Sequence, residues 1–170
     1  MKFFLIGYRC TGKTTIGKIL ADRLHYDFID MDRIIEQQTG SIIANLVEAH
    51  GWNYFRQIEK EILLNTIKME DKVISTGGGI ITDLENLIFL NKNGYNIWLD
   101  ADIKTILSRL NSDPSTQASR PSLTPKNLIE ETEELLNARR PLYEKTAHLK
   151  IKTDLLTPEE IVTLIERRLF

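Results

Sequence analysis

The residues with the clearest chemical potential are Gly7, Tyr8, Arg9, Cys10, Thr11, Gly12, Lys13 and Thr14, which together spell G-x-x-x-x-G-K-T. Two glycines at this spacing let the backbone turn tightly. Successive amides then point inward at an anion, and the helix that follows adds its positive N-terminus. A lysine directly after the second glycine can reach the outer phosphates of a nucleotide, and the Thr14 hydroxyl can ligate the Mg²⁺ that accompanies them. Thr15 adds a donor for the innermost phosphate, while Cys10, Thr11 and Gly12 supply the body of the cradle. Cys10 reads as a small residue filling a loop position, because no partner base or resolving cysteine accompanies it.

A phosphate cradle names a nucleotide and no reaction. Asp30 and Asp32 fall two apart at the end of an apolar segment, where alternation along an extended strand would point both the same way. One can hold hydrated Mg²⁺ near the phosphates, and the other can accept a hydrogen bond or a proton from a substrate hydroxyl. The local alternative is a pair of solvated caps for the helix that starts near Met31. Arg56 and Glu59 lie three apart on a predicted helix and can orient each other. Gly77, Gly78 and Gly79 follow an apolar strand and expose amides to close ligand approach. Arg120-Pro121 closes a long loop, and Arg139-Arg140-Pro141-Leu142-Tyr143 marks a helix break. Taken singly, Arg56 and Arg109 are as readily surface ion pairs as ligands, and Arg140 is read as one.

The elements that must position these groups alternate along the chain. Phe3-Phe4-Leu5-Ile6 is a continuous apolar run ended by Gly7, as expected of a central parallel strand covered on both faces. Further strands are predicted at 27–30, 73–76, 95–99 and 149–151, and helices at 13–25, 31–39, 41–50, 52–69, 83–93, 102–111, 125–146 and 158–169. Thr124-Pro125 and Thr157-Pro158 are helix starts, and Glu160 completes a capping box with Thr157. Pro141 should break or kink the 125–146 helix after Arg140. The pattern argues for an α/β domain with a mostly parallel sheet.

At 170 residues one domain is expected, and a formal charge of -2 with interspersed signs gives no broad footprint for nucleic acid or an anionic membrane. Cys10 is the only cysteine, so no internal disulfide or thiolate metal cluster can form, which fits a reducing cytoplasm. No run approaches the roughly 18 apolar residues of a membrane span, and the chain is expected to be soluble.

These residues resemble the shikimate kinases, in order and over essentially the whole chain. The shared features are the strand-end Asp-x-Asp, the helix bearing Phe55, Arg56 and Glu59, the triple glycine, an arginine followed by proline at Arg120, and Arg-x-Pro-Leu-Tyr from Arg139. The resemblance implies a three-layer α/β/α P-loop kinase fold with a five-stranded parallel sheet, a helical substrate-binding region at about 31–60 and a mobile lid at about 111–124. It implies ATP-dependent phosphorylation of shikimate to shikimate 3-phosphate in aromatic amino-acid biosynthesis, with one Mg²⁺ ion. ATP and shikimate are the expected partners, of a monomer that binds no nucleic acid or membrane.

By the same resemblance, Asp32, Arg56, Gly78 and Arg139 would bind shikimate, flanked by Gly77 and Gly79, with Phe55 lining the pocket. Asp30 would steer Mg²⁺ through water, Arg120 would meet phosphate charge, Arg109 would lie against adenine, and Glu59 would hold Arg56. Lys13 and Arg120 would stabilise charge on the transferring group while Asp32 orients the hydroxyl. The alternatives are a related small-molecule kinase, such as a gluconate kinase, or a non-catalytic nucleotide-binding protein. Three positions depart from the family pattern: Cys10 where many members have glycine, Val47 where an aromatic is common, and Leu155-Leu156 where some place a basic residue.

Overall fold

The computed structural model describes residues 1–112 and 126–170. The apolar run at the N-terminus forms β1 (Lys2–Ile6), and the phosphate loop leads from it into α1 (Lys13–Leu24). There follow β2 (Asp27–Asp30), α2 (Met31–Thr39), α3 (Ile43–Asn65), β3 (Lys72–Ser75), α4 (Leu84–Asn93), β4 (Tyr95–Asp100), α5 (Ile103–Ser112), α6 (Leu128–Thr146), β5 (Leu149–Lys152) and α7 (Pro158–Leu169). The five strands are all parallel, in the order β2-β3-β1-β4-β5.

Alternation along β1 divides the core into two. Phe4 and Ile6 face one side, where they pack with Met31, Ile35, Phe55, Leu63, Leu90 and Tyr143 from α2, α3, α4 and α6. Phe3 and Leu5 face the other, against Ile16 and Leu20 of α1 and Ile161 and Ile165 of α7. Both faces of the strand are therefore dry, as its unbroken apolar run requires. The chain leaves β1 toward β2 on one side and reaches β4 on the other, so the phosphate loop emerges where the strand order reverses, the crevice at which open α/β sheets bind ligands. Among the described residues no helix is long and apolar enough to cross a membrane.

Several local expectations change. The 41–50 and 52–69 helices join as α3 across a kink at Gly51 (φ 81°, ψ 167°), and the second ends at Asn65. α6 begins at Leu128 with Asn127 as its N-cap, whose side chain accepts from the Glu130 amide at 3.0 Å, later than a Thr124-Pro125 start would place it. Pro141 does not end α6, which continues to Thr146. The proline costs the helix one amide donor, and Tyr143 and Leu142 packed in the core hold the last turn in place. The Thr157–Glu160 capping box is present. Arg120, Pro121, Thr124 and Pro125, and most of the expected lid, lie outside the described residues.

Gly17, in the middle of α1, has a reason the sequence did not reveal. A Cβ there would stand 2.5 Å from the Phe28 ring and 2.9 Å from Leu5 Cδ1. Alanine favours a helix over glycine by about 1 kcal/mol, whereas overfilling a packed core costs about 1–3 kcal/mol. Gly17→Ala is therefore expected to lower the urea unfolding midpoint despite its better helix propensity. An unchanged or raised midpoint would show that α1 can shift away from the sheet.

Candidate active site

Two glycines shape the phosphate loop for different neighbours. Gly7 has φ 143°, and a Cβ there would lie 2.4 Å from the Leu99 carbonyl oxygen of β4. Gly12 has φ 95° and caps α1, with Ile16 Cδ1 at 2.9 Å from a Cβ. Cys10 adopts φ 60° without glycine's freedom, a conformation that costs a side-chain-bearing residue on the order of 1 kcal/mol or more. Three contacts hold the loop. Thr11 Oγ1 donates to the Tyr8 carbonyl at 2.9 Å, and Lys13 Nζ donates to the carbonyls of Gly7 and Tyr8 at 2.9 and 2.8 Å. From α5, Arg109 donates to the Cys10 carbonyl at 3.1 Å and to the Thr153 carbonyl at 2.7 Å, and so ties the loop to the segment after β5.

This loop walls a cleft of about 1300 Å³ that is also lined by Thr14, Thr15, Asp32, Thr76, Arg109 and Leu156. At its edge Thr14 Oγ1 donates to Asp30 Oδ2 at 2.8 Å. The other oxygen of Asp30 accepts from the amides of Asp32 and Arg33, at 3.1 and 3.4 Å. Asp30 is thus an N-cap as well as a partner of Thr14, and Asp32 lies in the first turn of α2. The strand-alternation argument for the two carboxylates does not hold, because the strand ends at Asp30.

A second cleft, of about 480 Å³, opens beside the first. Asp32 lines both. The second cleft brings together Asp32, Phe55, Arg56, Gly77, Gly78, Gly79 and Arg139 from four separate segments of the chain, together with Glu59, Trp52, Ile43 and Arg9. The triple glycine brings bare backbone close to its neighbours. A Cβ on Gly77 would lie 2.1 Å from Glu59 Oε1, one on Gly78 would lie 3.3 Å from the Gly7 carbonyl oxygen, and one on Gly79 would lie 2.0 Å from Arg56 Nη2.

Arg56 is fixed on three sides. Its Nη1 donates to Glu59 Oε2 at 2.5 Å, and its guanidinium stands 5.5 and 5.1 Å from the Trp52 and Phe55 ring centroids. Arg139 reaches the Gly78 carbonyl at 3.5 Å, and Tyr143, one helical turn on, donates to the same oxygen at 2.5 Å while its ring stacks on Trp98. Arg9 pairs with Glu131 and Arg56 with Glu59, whereas Arg139 makes no ion pair among the described residues. Arg140 instead faces buried Asp100 at 3.6 Å.

Trp52, Ile43 and Thr76 escaped the sequence reading because an apolar or hydroxyl residue on an element face carries no sign of which face it is. Trp52 alone left a clue, since it lies one helical turn from Phe55 and Arg56. Arg9 left none, occupying a variable position of the loop motif. Among the described residues no three His, Cys, Asp or Glu side chains gather as a metal site. The Thr14–Asp30 pair offers hard oxygens beside the phosphate cradle, a donor set suited to a divalent ion that keeps several waters and leans on the nucleotide.

A parallel sheet with the phosphate loop at its switch point, and a separate arginine-lined cleft meeting the nucleotide cleft at Asp32, defines a P-loop kinase with a small acceptor. The family model described as shikimate kinase matches residues 9–170. A shikimate kinase 2 of Photorhabdus laumondii is 44% identical over 98% of this chain and 94% of its own. A shikimate kinase of a Sulfurihydrogenibium species is 38% identical over 97% of this chain and 98% of its own. The solved shikimate kinase of Acinetobacter baumannii in complex with shikimate superposes with a TM-score of 0.92 at 32% identity, covering 99% of this chain and 92% of that one. The chain belongs to the shikimate kinase family.

Glu59 gives the site a pH signature. Burial pushes its carboxyl above the ordinary range, and the Arg56 charge and hydrogen bond pull it only part of the way back. The folded protein then holds the proton more tightly than the unfolded chain, so stability falls as pH rises from the ordinary carboxylate value toward the raised one. Glu59→Gln removes this titration. Urea unfolding of both proteins from about pH 4 to 7 should show the wild type losing stability relative to the glutamine variant as pH rises, and a difference independent of pH would contradict it.

Proposed function

We propose that the protein transfers the γ-phosphoryl group of ATP to a hydroxyl of shikimate, giving shikimate 3-phosphate. The observation that carries this reading is the meeting of the two clefts at Asp32, with an arginine that makes no ion pair among the described residues, Arg139, on the acceptor side. Glu131 and Glu59 pair with Arg9 and Arg56, so Arg139 is the guanidinium of the acceptor cleft best placed to receive an anionic group from the ligand. A hydroxylated monocarboxylic acid meets that demand.

Arg56 and Arg139 would hold the carboxylate, since planar guanidinium forks match it. Asp32 would accept a hydrogen bond from the reacting hydroxyl and direct its oxygen toward the nucleotide cleft, taking the proton as the P–O bond forms. The amides of the triple glycine would approach the acceptor ring where a side chain would collide. Lys13 would exchange its loop carbonyls for phosphate oxygens and stabilise charge on the transferring group. Thr14 and Asp30 would hold Mg²⁺, which when bound neutralises nucleotide phosphate charge. Positioning and charge stabilisation suffice, as phosphoryl transfer asks little covalent help of a protein. The whole chain would act as one domain in the cytoplasm.

A coupled assay with ATP and a panel of shikimate, gluconate and nucleoside monophosphates tests the reading. Turnover confined to another acceptor, or ATP binding with no transfer at all, would sink it. Lys13→Ala is expected to lower kcat by about 100-fold or more. Arg139→Ala should raise the KM for shikimate about 10- to 100-fold, the worth of a charged hydrogen bond, with a much smaller effect on the KM for ATP. Gly79→Ala should have a similar acceptor-side effect through displaced Arg56, and full acceptor affinity in that variant would show that the guanidinium has another workable position.

A further inference from the structure

Cys10 lines the nucleotide cleft and holds φ 60°, a left-handed backbone that a residue with a side chain leaves readily unless something outside it insists. Its carbonyl is held from the far side of the cleft. Arg109, in the last turn of α5, donates through Nη1 to that carbonyl at 3.1 Å and to Thr153 Oγ1 at 3.2 Å, and through Nη2 to the Thr153 carbonyl at 2.7 Å. Thr153 is itself fixed. It is buried, and its amide donates to the Asp100 carbonyl at 2.8 Å, continuing the ladder between β4 and β5. α5 starts from the same ground, with the Asp102 amide donating to Asp154 Oδ1 at 2.6 Å. The guanidinium therefore reaches the loop from an anchor on the sheet.

The restraints inside the loop are of another kind. Thr11 and Lys13 hold the carbonyls of Tyr8 and Gly7, two and three residues before Cys10, and the lysine is the group assigned to leave for phosphate. The bond from Arg109 makes no such exchange. We propose that Arg109 is a positioning residue of the phosphate loop, which by gripping the Cys10 carbonyl keeps that residue in the left-handed conformation on which the course of the loop depends. A planar fork can span the loop carbonyl and the Thr153 anchor at once, whereas an ammonium on a flexible stem is a point charge. This role differs from the contact with adenine expected of Arg109, because it serves any ligand that brings phosphates, with or without a base. It rests on the nucleotide half of the proposed function and is independent of the acceptor.

The test is the binding of inorganic tripolyphosphate, which has phosphates and no base, measured by titration calorimetry with Mg²⁺ present and with ATP in parallel. Arg109→Met should weaken tripolyphosphate about 10-fold, the worth of holding one residue in a strained conformation. Arg109→Lys keeps the charge without the fork, and it should still bind about threefold or more below the unmodified protein. The decisive comparison is made in a Cys10→Gly background, where the left-handed conformation carries no steric cost. There the Arg109→Met penalty should shrink to about threefold or less. An Arg109 that acted only on the base would leave tripolyphosphate binding unchanged, and one that acted only by its charge would be fully replaced by lysine and cost the same in both backgrounds. Any of those three results, with the unmodified protein binding normally, would overturn this proposal alone. An unmodified protein that binds neither tripolyphosphate nor ATP would overturn the nucleotide reading together with it.

Discussion

The closeness of backbones at the C-terminal edge of the sheet governs the rest of the molecule. Gly7 rests on the Leu99 carbonyl, and Gly78 lies against the Gly7 carbonyl and the Arg9 amide. No side chain fits at Gly7, and at Gly78 one would be accommodated only if a neighbouring loop gave by a few tenths of an ångström. Because the loop after β3 and the loop after β1 touch through bare backbone, the nucleotide cleft and the acceptor cleft share a wall, and Asp32 can line both. A single methyl group at Gly78 would have to be accommodated by one of the two loops. The parallel sheet matters to function chiefly because it delivers these strand ends to one edge in register.

Charge is arranged with similar economy. Buried ion pairs are near break-even for stability, because desolvation offsets most of the attraction. Arg56–Glu59 and Arg9–Glu131 are better understood as devices that hold guanidinium planes still than as sources of stability. Tyr143 does similar work without charge, fixing the Gly78 carbonyl while its ring is locked against Trp98. The acceptor cleft is in this way largely preorganised, which limits the ordering that a small ligand must impose.

How much was legible follows from where each signal lived. β1, the phosphate loop and α7 could be read from local pattern, since an apolar run, a glycine spacing and a capping box are each complete within a few residues. The placement of Asp32 could not. It depended on whether the strand or the helix claimed Met31, and the side chain of Asp30 settles that by capping α2. The break expected at Pro141 does not occur, because core packing of Tyr143 outweighs the proline's local cost. The resemblance located Arg56, Arg139 and the glycines as a set, whereas the reason for three glycines appears only when Glu59, Gly7 and Arg56 are seen on the other side of the missing side chains. Arg9 and Glu131 are 122 residues apart, and no local pattern joins them.

With the ammonium of Lys13 seated on the carbonyls of Gly7 and Tyr8, the nucleotide capture proposed for it would be an exchange instead of a simple addition. These carbonyls would be surrendered as phosphate oxygens are gained, so the lysine's net contribution to affinity would be the difference between two sets of partners. In return the loop is held by the same charge that would serve the ligand. Selectivity against weaker anions would follow: a ligand that offers the ammonium less than these carbonyls do would leave it where it is, whereas a polyphosphate with several well-placed oxygens would draw it out.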